Sequence, residues 1–189
     1  RPVLLAGFSL GGNFALRIGR RCRAQPIPGL RYIVAVSPAL NPAEATTRID
    51  RHPLIRRYFL KKWRRSLALK QALFPDRYDF NPALGIKTVL GLTEYLIAHY
   101  SRYGSAAAYF ADYTLTGEAL ASMSVPASLV TAADDPIISA DDFGALRCGP
   151  STEVVVHRHG GHNGFLHGWP LRSRYEADIP DLFDRICTG

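Results

Sequence analysis

Ser9 stands between Gly7 and Gly11, where the apolar run Val3-Leu4-Leu5-Ala6 gives way to a helical pattern. A strand, a sharp turn and a helix around G-x-S-x-G present a serine hydroxyl for nucleophilic attack. The turn is expected to force the serine into a strained backbone conformation, which neighbouring Cβ atoms would obstruct. The helix behind it points its first amides, beginning with Leu10, toward any developing anion. Glycines that serve tight packing alone would leave the same letters; the strand–turn–helix context favours the nucleophile.

A serine hydroxyl needs a base to take its proton, and the base must be held in one tautomer. Two later stretches offer the helpers. Asp134 and Asp135 follow the apolar run at 125–131, and His162 follows Gly160-Gly161 beyond the run at 153–157. Within the acidic pair, the usual spacing of a small residue, two positions and then Asp places Asp135 against Ala132. Asp134 is then expected to hydrogen-bond the backbone of the turn. Asp141 and Asp142 read as helix-start residues. His157 and His159 fall in or near a strand, whereas His162 lies on a loop, where functional histidines concentrate. His52, His99 and His167 read as surface or helix-cap positions. Both chosen helpers lie just past the C-terminal end of a strand, where open α/β sheets bind ligands.

The elements that must position these residues can be followed along the chain. Residues 13–23 read as a helix with Phe14, Ala15, Leu16 and Ile18 inward, broken by Pro26, Pro28 and Gly29. Residues 30–36 form an almost continuous apolar run, as expected of a parallel strand covered on both faces. Residues 41–123 contain no convincing strand. Leu54, Ile55, Tyr58, Phe59, Trp63 and Leu67 recur there at helical spacing, and further helical patterns cover 86–100 and the stretch after Gly104. The sheet resumes at 125–131 and 153–157, separated by a short helix that Ser139 is expected to cap. A terminal helix carries Tyr175, Ile179, Leu182, Phe183 and Ile186 as its apolar stripe. The class is α/β: a mostly parallel sheet in core segments 1–40 and 124–189, interrupted by a helical cap insertion at 41–123.

Composition bounds the rest. At 189 residues, 47% apolar and 21% charged, the chain is of one-domain length and globular. No apolar run is long enough to span a bilayer. The three cysteines, Cys22, Cys148 and Cys187, are scattered and odd in number. A disulfide framework is therefore not expected, and a reducing, cytoplasmic compartment is. Much of the net charge of +7 falls between Arg48 and Lys70. That segment reads as a solvated helix face in preference to a membrane-surface contact. Nucleic-acid binding is not expected, since no recognition motif accompanies the charge.

Gly7-Phe8-Ser9-Leu10-Gly11-Gly12-Asn13, Ala132-Ala133-Asp134-Asp135-Pro136 and Gly160-Gly161-His162-Asn163-Gly164-Phe165 together resemble the α/β-hydrolase superfamily, which shares this chain's Ser, Asp, His order. More narrowly, with the tract from Leu92-Thr93-Glu94-Tyr95 to Ala108-Tyr109-Phe110, they look like the branch of bacterial YheT-type hydrolases and yeast medium-chain ethanol acyltransferases. The resemblance implies a serine esterase acting on a small-molecule carboxylic ester, without metal or organic cofactor. It implies Ser9 as nucleophile, His162 as base, Asp135 as the group orienting it, and the Leu10 amide in the oxyanion hole. An acyltransferase making esters from an alcohol, or a non-catalytic binding module, would share the same motifs.

One departure stands out. Members of the superfamily have several strands before the elbow, and a loop after one of them donates a second oxyanion amide. This chain runs from Arg1 straight into its first strand. It is therefore expected to be the C-terminal portion of a longer hydrolase, with the N-terminal half missing and the first strand left as an apolar sheet edge. Loss of one oxyanion donor costs about a hundred- to a thousandfold in rate, so the chain alone is expected to be weak or inactive.

Overall fold

The computed structural model describes residues 1–188. The elements run β1 (Val3–Phe8), α1 (Leu10–Arg21), β2 (Leu30–Val36), α2 (Pro42–Arg51), α3 (Pro53–Leu73), α4 (Val89–Tyr100), α5 (Ala106–Tyr113), β3 (Ala127–Ala132), α6 (Asp141–Gly144), β4 (Thr152–His157), β5 (Leu166–His167), β6 (Arg172–Ser173) and α7 (Tyr175–Thr188). Strands β1 to β4 form one sheet in sequential order, every pair parallel. Parallel neighbours cannot be joined by a tight hairpin, so each connection must carry a longer excursion. Helix α1 supplies the first, residues 37–126 the second and α6 the third.

Register aligns the C-terminal ends of the strands. Phe8 pairs with Val36, Val36 with Val130, and Ala132 with His157. Strand β2 earns its interior place by composition: Ile33, Val34, Ala35 and Val36 are all buried. On one face Val34, Val36, Ala132 and Phe165 form a core onto which Tyr175, Ile179, Leu182 and Phe183 pack. The terminal helix therefore meets the sheet through its expected stripe, although each of those side chains is only partly buried.

Helix α1 starts at Leu10, three residues earlier than its apolar pattern suggests. Ala15 and Leu16 are buried as expected, but Phe14 is 43% exposed and Ile18 lies near the surface. Gly12, Asn13 and Gly19 occupy the buried face instead. The face is chosen by how closely the helix start must approach the sheet, which favours small residues over large apolar ones. The short helix α6 likewise begins after Ala140, one position beyond the expected Ser139 cap. The hairpin β5–β6 carried no legible strand pattern, being two residues on each side.

Packing divides the described chain into two units, residues 1–42 with 113–188 and residues 43–112. The second unit is helical. Pro53 opens α3 at a position where its missing N–H is not needed. Leu60 is buried on that helix, whereas Leu54 is 79% exposed and Tyr58 is also exposed. The start of α4 is held twice: Thr88 Oγ1 accepts from the Gly91 amide at 3.1 Å, and the Asp50 carboxylate accepts from Val89 and Leu90 at 2.7 and 2.9 Å. Phe80 packs against Tyr78 and Tyr100 with ring centres 5.5 and 4.9 Å apart. Among the described residues no helix is long and apolar enough to cross a membrane.

The central position of β3 generates a stability contrast. Leu129 is fully buried between β2 and β4. Leu129→Ala is expected to lower the unfolding free energy by about 2–5 kcal/mol in a urea titration. Leu54→Ala, at a nearly free side chain, is expected to change it by less than about 0.5 kcal/mol.

Candidate active site

Ser9 lies between β1 and α1 with φ 52° and ψ −120°. This left-handed conformation costs a residue with a Cβ about 1–3 kcal/mol and must be enforced by its surroundings. Backbone bonds enforce it. The Ser9 amide donates to Val36 at 2.9 Å, and its carbonyl accepts from both Asn13 and Ala39 at 3.1 Å. Asn13, fully buried, adds side-chain bonds from Nδ2 to the carbonyls of Ala39 and Tyr113 at 2.8 and 2.7 Å. Asn13 escaped the sequence reading; a polar residue on the otherwise apolar side of α1 was the available signal.

The flanking glycines are not equivalent. A Cβ on Gly7 would strike the Gly11 carbonyl and come within 2.8 Å of the Gly12 amide, so nothing larger fits where the chain folds back. A Cβ on Gly12 would approach Pro38 to 3.0 Å. Gly11 has open space around it, which departs from the expectation that both neighbours at i−2 and i+2 are sterically required.

His162 reaches the elbow from the loop after β4. Its Nε2 lies 3.0 Å from Ser9 Oγ and its Nδ1 lies 2.9 Å from Asp135 Oδ2. With Nδ1 protonated the ring donates to the carboxylate, leaving Nε2 to accept from the serine. The other Asp135 oxygen accepts from the amides of Ile137 and Ile138 at 2.8 and 2.9 Å. The Asp135 side chain is fully buried and that of His162 is 16% exposed. Burial acts to raise the Asp135 carboxyl, but the His162 hydrogen bond, the two amides and the attraction to the imidazole outweigh it and hold the carboxyl below its ordinary value.

Asp134 occupies a different place from the one expected. Its Oδ1 accepts from the amides of Gly160 and Gly161 at 2.9 and 2.8 Å, so it binds the histidine loop and not its own turn. The Gly161 amide is the leading cause of its lowered pKa; slight burial opposes this, while the Gly160 amide and the neighbouring His159, 3.4 Å away, reinforce it. The two adjacent carboxylates thus divide one task. Asp135 holds the ring and Asp134 holds the backbone that carries it.

The same loop is fixed from three further sides. Gly160 has no room for a Cβ, which would lie 2.6 Å from the Phe165 ring. Ser173 Oγ donates to the Gly164 carbonyl at 2.9 Å and Tyr175 Oη to the Asn163 carbonyl at 3.2 Å. The Tyr175 ring also packs edge-on against Phe8, 5.0 Å between centres, at the end of β1. His157 sits in β4 beside Phe165, and His159 is exposed, so neither enters the Ser9 cluster. Leu10, the first residue of α1, contributes an amide of the first turn, which by helix geometry has no intrahelical acceptor. Among the described residues no cluster of His, Cys, Asp and Glu could hold a metal ion.

A family model described as "Alpha/beta hydrolase family" matches residues 1–182, nearly the whole chain and every residue of this site. The chain belongs to the alpha/beta hydrolase family. Among solved structures, this chain is similar to mouse alpha/beta hydrolase domain-containing protein 10, with 14% identity, TM-score 0.49, and coverage of 98% of this chain and 63% of that one. It is also similar to a Pyrococcus furiosus esterase, at 14% identity and TM-score 0.48 over 98% of this chain and 54% of the esterase. A serine hydrolase of Cycloclasticus zankles follows at 16% identity and TM-score 0.48, covering 85% and 57%. The chain thus spans less than two thirds of the length of these structures. A comparison with curated proteins finds no match.

A carboxyl held low in the folded chain contributes stability above its unfolded pKa, 3.8 for Asp135, and loses that contribution as pH falls through the lowered folded value. Unfolding free energy measured from about pH 5 downward is therefore expected to drop below about pH 4 in the parent protein. Asp135→Asn, which cannot titrate, is expected to show a shallower acid drop from a lower starting stability.

Proposed function

We propose that this alpha/beta hydrolase family member is a serine esterase that cleaves carboxylic esters through an acyl-enzyme. The observation that carries the reading is the continuous relay from Asp135 through His162 to Ser9, with bonds of 2.9 and 3.0 Å. In the first half-reaction Ser9 Oγ attacks the ester carbonyl as His162 Nε2 takes its proton. The tetrahedral oxyanion is met by the Leu10 amide at the positive end of α1. His162 returns the proton to the departing alcohol, and Ser9 is left acylated. In the second half, water gives its proton to His162 and attacks the acyl carbon; the bond to Ser9 Oγ then breaks as His162 passes the proton to that oxygen, freeing the acid and Ser9. Asp135 keeps Nδ1–H pointed at itself, so that Nε2 faces the serine, and stabilises the transient imidazolium.

Medium-chain acyl groups as substrate, and membership of the YheT-type and ethanol acyltransferase branch, are the finer part of the proposal and rest on the motif resemblance. An alcohol in place of water in the second half-reaction would turn the same relay to ester synthesis. Because the chain spans only part of its structural neighbours, the substrate is proposed for the whole protein.

Hydrolysis of p-nitrophenyl esters of graded acyl length tests the reading. Ser9→Ala is expected to lower kcat/KM by about three orders of magnitude or more. Asp135→Asn should also be costly, the same change in a serine protease costing about 10⁴ in kcat, while Asp134→Asn should cost less because it loosens the loop without changing the tautomer. Undiminished turnover by Ser9→Ala would overturn the esterase reading. Product partitioning with added ethanol separates hydrolysis from transfer.

A further inference from the structure

A surface concavity of about 540 Å³ in the helical unit, within the usual range for small-molecule sites, is walled by cations. Arg56, Arg57, Lys61 and Arg64 recur along one side of α3, and Lys87 approaches from the segment before α4. The remaining lining is Pro53 and the buried Leu60, which give an apolar floor. No carboxylate lines the space. Among the described residues no ion pair reaches any of the five cations.

The arrangement is built and not merely a run of basic letters. Arg64 Nη2 donates to the Ile86 carbonyl at 2.6 Å, which ties α3 to the segment carrying Lys87. Arg56 Nη1 donates to the Asp50 carbonyl at 2.8 Å. The Asp50 carboxylate, the acid this brings close, is already committed to the Val89 and Leu90 amides. Arg64 Nε is shielded from solvent and has no acceptor. Arg56 and Arg64 are thus partly withdrawn from water with no opposing charge, which is costly unless an anion completes the site. Guanidinium forks match phosphate oxygens two at a time, and the lysines add point charges.

We propose that this concavity binds the phosphate groups of an organic phosphate, either a soluble diphosphate-bearing molecule or a phosphorylated lipid headgroup. Five cations call for more than one phosphate charge, and the volume with its apolar floor leaves room for a carrier. The proposal is independent of the esterase reading, since every lining residue lies within 43–112.

Two probes test it on the 189-residue chain at physiological salt, where weak surface attraction is screened. One is inorganic pyrophosphate by titration calorimetry. The other is sedimentation with phosphatidylcholine vesicles carrying a phosphatidylinositol bisphosphate. Arg57→Gln with Lys61→Gln removes two exposed lining cations and is expected to weaken binding about tenfold or more. Lys62→Gln with Arg65→Gln removes the same charge from exposed positions of α3 outside the concavity, and is expected to change binding less than about twofold. Pyrophosphate binding with that selective loss supports a soluble ligand; vesicle binding with the same loss supports a headgroup. Absence of binding to both probes, or equal loss in the two double variants, overturns the proposal.

Discussion

A hydrogen bond spanning 153 positions of chain, from His162 Nε2 to Ser9 Oγ, governs the architecture around it. Such a bond can exist only where two distant loops leave the sheet on the same side. The parallel pairing of β1 to β4 supplies that condition, because every strand then ends at one edge layer. Asp135 leaves after β3, His162 after β4 and Ser9 after β1, so three strand ends deliver three groups to one place. An antiparallel sheet with the same residues would send neighbouring ends to opposite sides.

Backbone strain concentrates at that same end. The non-glycine residues with positive φ among the described residues are Ser9, Ser37, Asn163 and Phe165. Ser9 and Ser37 follow β1 and β2 directly, and the other two follow His162 in the loop after β4. Each such conformation is unfavourable by about 1–3 kcal/mol, and each is held by fixed bonds nearby. Ser37 donates its amide to Val130 at 2.7 Å, Phe165 to Gly160 at 2.8 Å. Burial of Val34, Val36, Ala132 and Phe165 beneath these turns offsets the strain. The result is a hydroxyl, a ring and a carboxylate already in line, which would spare the proposed acyl transfer much of the cost of orienting them.

Much of this was legible in the sequence, and the parts that were not share a cause. Strand-forming residues at 30–36 and the glycines around Ser9 announced their elements because period and turn chemistry act locally. The spacing from Ala132 favoured Asp135 over Asp134, and it is the Asp135 carboxylate that lies 2.9 Å from His162. Asn13 was not legible, since its burial depends on carbonyls of Ala39 and Tyr113 that only tertiary structure brings near. The exposure of Phe14, the free space at Gly11 and the reach of Asp134 to the histidine loop are of the same kind. Each depends on what lies opposite, and one chain read in order does not say what lies opposite.

Ser9 is proposed here as a nucleophile whose reactivity is conferred by His162. Peptide mapping by mass spectrometry after treatment with a fluorophosphonate measures this most directly, because it needs neither a known substrate nor complete turnover. One adduct is expected, on the peptide containing Ser9, formed in the whole protein and lost in its His162→Ala variant. An adduct on another residue, or undiminished modification of Ser9 in His162→Ala, would contradict it.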